Sequence, residues 1–441
     1  MSNLDSSTLS FSQDLVSASN EAAIATSNTA SVTKLPNGLT VIHQPMVSPA
    51  VAIDVWVEAG ASKEPMAQAG MAHFLEHMVF KGTQHLQPGE FDWAVESRGG
   101  ISNAATSHDY AHFYITVAAQ AVPATLPYLA ELVLGAAIPD QEFEPERKVV
   151  LEEIRQANDD PDWVGYQALC HLLYGHHAYG RPVLGTPETL ASFSPQAMRQ
   201  FHQAYYQPQN MTVAIAGNLP KDQAIALVQK SFNHFPAPSQ SPQPKSIAPN
   251  PLSNPQPPQR QTLRLPHLEQ SRLTLAWIGP GIHDLSAACH LDLLATILGV
   301  GRSSRLVREL REEKQLVQEI DTDFSLQRDC GEFSLTIWLD RENLETVERI
   351  VRDRITTLRT QPVTPVELAR AQRLLLNDHA FGAETPSQIA GRYGYYATLA
   401  SPELVQAYPL NIQAATPYAI QQTAQQYLDP KAYTAVILEP A

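Results

Sequence analysis

Residues 236–258, PAPSQSPQPKSIAPNPLSNPQPP, hold nine of the chain's 34 prolines. Proline locks φ near about −65° and offers no N–H, so such a stretch forms neither a helix nor a central strand. It reads as a semi-rigid extended linker. This one segment divides a 441-residue chain into two pieces of similar size. Each piece is long enough to bury a core of its own.

The two pieces echo each other. In the first, Asp109–Val117 has a strand pattern and a helical stretch follows near 121–137. An acidic loop with Pro139 and Pro145 comes next, then a helix from about Glu146 to Ala157. In the second, Cys330–Leu339 is the strand, a helix follows near 341–360, Pro362 and Pro365 interrupt it, and a helix spans about 366–379. The repeated order predicts a duplicated α+β unit. Near the start, Gly38–Ile42 and Val51–Val57 read as a strand pair. The expected fold is α+β, with two homologous domains, each a mainly antiparallel sheet with helices packed on it. The expected organisation is a disordered arm over 1–32, a first domain over 33–235, the linker over 236–260, and a second domain over 261–441.

Composition narrows the function classes. Charged residues make up 17% and hydrophobic ones 44%, an ordinary soluble balance. No run of 18 apolar residues appears, so no membrane span is expected. The Ser/Ala/Asn/Thr-rich start holds Asp5, Asp14 and Glu21 but no Lys or Arg before Lys34, which fits neither a secretory signal nor a transit peptide. Cys170, Cys289 and Cys330 are too few and too scattered for a disulfide framework or a thiolate metal site, and a cytoplasmic location is expected. Net charge is −15. Residues 1–240 carry 11 basic against 23 acidic side chains, a balance of −12, and the remainder 19 against 22, a balance of −3. Such a surface argues against nucleic acid and suits a basic or unfolded peptide, with a general solubility charge as the alternative.

The chemistry concentrates in His73-Phe-Leu-Glu-His77. On a helix, positions i and i+4 share a face and i+3 lies beside them. His73 and His77 can therefore grip one metal ion while Glu76 points at the same place with its oxygens free. A zinc hydrolase needs neutral imidazoles, an open position for water, and a carboxylate to take that water's proton. The order is the reverse of H-E-x-x-H and is the inverzincin signature. Met71, Phe74, Leu75 and Met78 set the motif among apolar residues, where two imidazoles and a carboxylate are costly to bury without a cation.

A third ligand is sought in Glu146–Ile154. There Glu146, Val149, Val150 and Glu153 share one helical stripe, and the valines mark it as core-facing. Glu153 is favoured over Glu152, which sits four residues from Lys148 as a surface pair. His85, His108, His112, His176 and His177 read as structural or solvated rather than ligating.

These residues resemble the pitrilysin family (M16) of zinc metallopeptidases, and most of all the half-length bacterial subunits related to the mitochondrial processing peptidase. The family follows H-x-x-E-H with a glutamate about 76 residues on, and here Glu153 lies 76 residues after His77. A supporting glutamate seven residues before that ligand matches Glu146. The segments 77–83, 99–106, 174–185, 303–306 and 427–430 are also similar, and the resemblance spans roughly 33 to 441.

The resemblance implies Zn2+ held by His73, His77 and Glu153, with Glu76 as general base, Glu146 in support, and peptide-bond hydrolysis. It implies a substrate strand added at Asn103 and Ala104. Family members place an arginine and, seven residues on, a tyrosine in the second half; Arg311 matches the first, but Gln318 stands at the second. A Gln amide can donate a hydrogen bond, without a phenol's reach or acidity. The expected partner is a paralogous subunit that carries the Arg–Tyr pair, giving a heterodimer around an unfolded peptide. The alternatives are a self-sufficient homodimeric peptidase and a non-catalytic assembly protein of the same fold.

Overall fold

The computed structural model describes residues 30–233, 259–266 and 268–441. Most of the arm expected over 1–32 and of the linker expected over 236–260 lies outside the described residues. Ser31 and Val32 already belong to a strand, as do Gln259 and Arg260.

The first half builds β1 (Ser31–Lys34), β2 (Thr40–Pro45), β3 (Ala50–Val57), β4 (Ile101–Thr106), β5 (Ala111–Ala118) and β6 (Met211–Gly217). They form one sheet in the order β1-β2-β6-β3-β5-β4. The second half builds β7 (Gln259–Leu265), β8 (Ser271–Pro280), β9 (Val317–Ser325), β10 (Cys330–Leu339) and β11 (Thr434–Pro440). Their order is β7-β11-β8-β10-β9. Without β1 the two orders coincide, and in each sheet the last strand runs parallel to the first and antiparallel to the next. The other pairings are antiparallel. The architecture is the two-domain α+β fold expected, with the unit duplicated in topology.

β2 and β3 both form, but they are not partners. β6 lies between them, parallel to β2 and antiparallel to β3. Its Met-Thr-Val-Ala-Ile-Ala-Gly run is buried throughout, the pattern of a strand covered on both faces. An apolar run shows that a strand is central without naming its neighbours. β4, by contrast, alternates between exposed and half-buried residues and is the sheet's free edge.

Helices α1 (Met71–Val79), α2 (Val122–Leu134) and α3 (Asp140–Asp159) cover one face of the first sheet through a single apolar core. α3 starts at Asp140, not near Glu146, so Pro145 sits inside it. That proline forfeits only one backbone bond, and Asp140 and Glu142 favour the positive end of the helix dipole. α4 (Pro161–Tyr174) comes directly after α3. In the second half α5 (Leu285–Gly299), α6 (Leu344–Thr360) and α7 (Pro365–Phe381) cover the second sheet, and α8 (Pro386–Leu399) lies beyond them in the chain.

The halves exchange helices. α4 sets Leu169 and Leu173 against Ala276, Val436 and Leu438 of the second sheet. α8 sets Ala390 and Tyr393 against Ile42, Ala52 and Ala214 of the first. Each sheet thus has its second face partly covered by a helix from the other half. A buried polar joint accompanies this exchange. The Tyr179 hydroxyl donates to Asp109, 2.9 Å from each carboxylate oxygen. The Arg328 N–H donates to the same carboxylate at 3.1 Å, and the Asp329 N–H donates to the Tyr179 hydroxyl at 3.1 Å.

Gly394 of α8 packs tightly over Trp56 of β3 in this exchange. A Cβ at Gly394 would lie 2.0 Å from the indole Nε1. Trp56 cannot yield easily, because it is buried and stacked on His112 at 4.0 Å. Gly394→Ala is expected to cost roughly 1–3 kcal/mol from overpacking, offset by up to about 1 kcal/mol of helix propensity. The midpoint of urea unfolding checks this, and a midpoint at or above wild type would contradict the packing described.

Candidate metal centre

α1 carries the motif, and its placement comes from outside itself. Gly70 at its N-cap has φ of 97° and supplies no side chain. Glu64, from the preceding loop, takes over the capping: its carboxylate accepts from the Gly70 N–H at 3.0 Å and the Ala72 N–H at 2.6 Å. The same loop is held from a distant segment. Arg181 donates to the Glu64 carbonyl at 3.1 Å and the Ala61 carbonyl at 3.3 Å. Thr189 donates to the Ala69 carbonyl at 2.7 Å. Gly70 and Gly185 meet backbone to backbone, and a Cβ on Gly185 would lie 2.4 Å from the Ala69 oxygen. The 174–185 segment noted in the sequence therefore works as a clamp on the start of α1.

Met71, Phe74, Leu75 and Met78 are fully buried, as expected, and turn His73, Glu76 and His77 toward β4 and α3. His73, His77 and Glu153 each offer a ligand atom within 4.8 Å of the others, the one such group among the described residues. Glu153 Oε1 lies 3.6 Å from His73 Nε2, and its Oε2 lies 3.4 Å from His77 Nε2. Tetrahedral zinc with bonds of about 2.0–2.1 Å has ligand-to-ligand edges of roughly 3.4 Å. The three donors thus fit that ion in type and in spacing.

Glu146 is buried and stands behind the ligands rather than among them. Its Oε1 is 2.9 Å from His77 Nδ1, the position that orients an imidazole for metal binding through Nε2. Its Oε2 is 2.5 Å from Lys81 Nζ. Glu76 faces β4, where the Thr106 hydroxyl donates to its Oε2 at 2.6 Å.

Electrostatics follow from burial and contact. Burial pushes the His73 imidazole down to about 4, keeping it neutral at physiological pH. Burial also lowers His77, but its bonds to Glu153 and Glu146 outweigh that and leave it raised. The hydrogen bond from His77 holds Glu153 below the usual carboxylate range. Burial raises Glu76, and the Thr106 bond only partly offsets it.

Two supports for Glu153 need correction. Val149 is 51% exposed, so only Val150 and Glu146 of the expected stripe face the core. Glu152 pairs with Arg155 at 2.7 Å and not with Lys148. Asn103 and Ala104 lie on the free edge of the sheet, where the Ala104 N–H is accepted by Asn103 Oδ1 at 2.9 Å. Arg311 sits on an irregular helix, Val307–Glu313, and donates to Glu312 at 2.8 Å. Among the described residues no hydrogen bond or ion pair links it to the His-Glu group. Gln318 is exposed on β9, the corresponding edge of the second sheet. His112 pairs with Asp54 at 3.2 Å and His108 bonds the Arg181 carbonyl at 3.0 Å, both structural as expected.

Reading the sequence missed Glu64, Thr106 and Lys81. Thr106 and Lys81 sit inside segments singled out for their similarity, which was the signal available for them. Glu64 had none.

Burial pushes the Glu64 carboxyl from 4.5 up to about 8, while its backbone donors pull the other way. The folded chain therefore keeps this proton to a higher pH than the unfolded chain. The resulting stabilisation is complete below 4.5 and is lost as pH rises toward about 8. Metal-free protein is expected to lose up to about 1.4 kcal/mol per pH unit in that window. Glu64→Gln should flatten this slope. Urea midpoints at pH 5 and pH 8 for both proteins provide the check.

The chain and its fold match known proteins. The model described as "Insulinase (Peptidase family M16)" matches residues 40–187, and that described as "Peptidase M16 inactive domain" matches 192–375. The uncharacterized zinc protease YmxG of Bacillus subtilis (strain 168) is 30% identical over 361 residues, 81% of this chain and 85% of its own. An uncharacterized zinc protease of Mycobacterium tuberculosis (strain ATCC 25618 / H37Rv) is 32% identical over 367 residues, 82% of each chain. The structure of a protease from Helicobacter pylori superposes with a TM-score of 0.85 at 24% identity, over 94% of this chain and 100% of that one. Pitrilysin superposes at 0.76 with 18% identity, over 94% of this chain and 45% of its own. With family matches across both halves and relatives this similar along four-fifths of its length, the chain belongs to peptidase family M16.

Proposed function

We propose that this chain is a zinc-dependent endopeptidase subunit that hydrolyses unfolded peptides. The observation that carries the reading is the convergence of His73, His77 and Glu153, with Glu76 beside them on the same helix and a free strand edge in contact. His73 Nε2, His77 Nε2 and a Glu153 oxygen would hold the ion. When bound, zinc supplies Lewis acidity toward water and a peptide carbonyl.

The chain's own groups do the rest. A substrate strand adds to β4 beside Asn103 and Ala104, which aligns its backbone with α1. Recognition through main-chain hydrogen bonds reads sequence loosely and requires an extended, unfolded segment. Thr106 holds one oxygen of Glu76 and leaves the other for the attacking water. Glu76 takes that water's proton and returns it to the departing amine. Burial raises Glu76, which makes its carboxylate the stronger base for the first of these transfers.

The partner in this reading is a paralogous M16 subunit that brings the Arg–Tyr pair, as in the branch related to the mitochondrial processing peptidase. Supporting it are the exposed Gln318 where the family has tyrosine and an Arg311 engaged by Glu312. A homodimer is the alternative assembly. A cytoplasmic location belongs to the same reading, with Cys170, Cys289 and Cys330 all buried and unbridged.

Glu76→Gln is expected to bind zinc like wild type and to lose about 10²- to 10⁴-fold in cleavage of an unstructured, quenched-fluorescence peptide. Wild-type rates in that variant would remove Glu76 from the chemistry. Adding the paralogous subunit should raise the wild-type rate well above that of the chain alone. Full activity of the isolated, zinc-loaded chain would sink the divided site.

A further inference from the structure

Lys81 follows the metal helix without belonging to its motif. Its ammonium lies 2.5 Å from Glu146 Oε2, and the other oxygen of that carboxylate is 2.9 Å from His77 Nδ1. Glu146 is 6% exposed, so water does little to solvate its charge. A buried carboxylate needs a cation or a full set of donors. Lys81 is the cation that touches it among the described residues.

The backbone around Lys81 is specified for this contact. Its N–H continues the end of α1 by donating to the Met78 carbonyl at 3.1 Å. Gly82 then turns at φ of 103°, and its carbonyl accepts from Ala137 at 3.0 Å. The chain leaves the helix in a fixed direction, and the lysine stem runs back toward α3.

Charge accounting at the site points the same way. Glu76, Glu146 and Glu153 gather around two imidazoles. A zinc ion offsets two of those three negative charges, and Lys81 offsets the third. We propose that Lys81 is a positioning residue of the metal centre: its ion pair fixes the Glu146 side chain against His77 Nδ1, so that His77 presents its Nε2 lone pair to the ion. This rests on the zinc-peptidase reading above and assigns a role outside the ligand set.

The test uses the full chain and zinc affinity measured by competition with a chelator, with unfolding of the zinc-free protein as the control for folding. Lys81→Met is expected to bind zinc about 10-fold more weakly or worse, within the 10- to 100-fold range typical of outer-shell changes. Lys81→Arg, which keeps the charge, should stay within a few-fold of wild type. Glu146→Gln should weaken binding by a similar range, and adding Lys81→Met to it should cost little more, because the lysine acts through that carboxylate. Lys81→Gln serves the same comparison should the methionine variant not fold.

Wild-type affinity in the neutral variants would overturn the proposal, as would an equal loss with and without Glu146. A wild-type chain that binds no zinc would overturn the functional reading along with it. Zinc binding and Glu76-dependent cleavage that persist unchanged in Lys81→Met would overturn this inference alone.

Discussion

Everything at the site depends on how α1 is held at its N-terminus. Helix periodicity puts His73, Glu76 and His77 on one side of α1, but it does not say where that side points. The Glu64 carboxyl group bonded to the amides of Gly70 and Ala72 and the backbone contact of Gly70 with Gly185 decide it. Both constraints are stiff. A buried carboxylate satisfied by backbone donors has few other positions, and two glycines in van der Waals contact leave no room for a shift. A displacement of about 1 Å there would carry the imidazoles away from Glu153, an error of the size that costs catalytic sites dearly.

From that anchor the site is a problem in burying charge. Two imidazoles and three carboxylates occupy a region with limited water, and each finds an opposite or a donor. Glu153 spans both imidazoles, Glu146 bridges His77 and Lys81, and Glu76 takes the Thr106 hydroxyl. An apolar setting raises the cost of any unmatched charge, which is why opposites and donors gather where these side chains converge, although His73 Nδ1 is buried without a hydrogen-bond partner. The edge strand β4 then meets this group at Thr106, whose hydroxyl bonds Glu76.

The duplicated topology gives both halves the same frame, and the His-Glu group stands on the first. The sheets have the same strand order, and each receives a helix from the other half. The repeat of strand, helix and helix was legible in Asp109–Ala157 and Cys330–His379 because alternation and 3.6-residue periodicity are local properties. β6 between β2 and β3 was not legible, since pairing partners more than 150 residues apart leave no periodic trace. The exchange of α4 and α8 was hidden for the same reason. Which sheet a helix covers is a tertiary fact.

By itself the sequence determined that His73, Glu76 and His77 share one side of a helix, because i, i+3 and i+4 meet on any helix, and it singled out Glu153 as the candidate third ligand through its place on a second helix. It did so with an imperfect support, for Val149 turned out exposed while Val150 and Glu146 face inward. Only the tertiary structure decided the groups that make the motif usable. Thr106 reaches Glu76 across 30 residues, and Glu146 reaches His77 across 69. Glu64 caps a helix it does not belong to, and Lys81 meets Glu146 only because the chain turns at Gly82. Chemistry set by spacing along one helix is written locally. Chemistry set by the meeting of separate elements exists only once burial has brought them together.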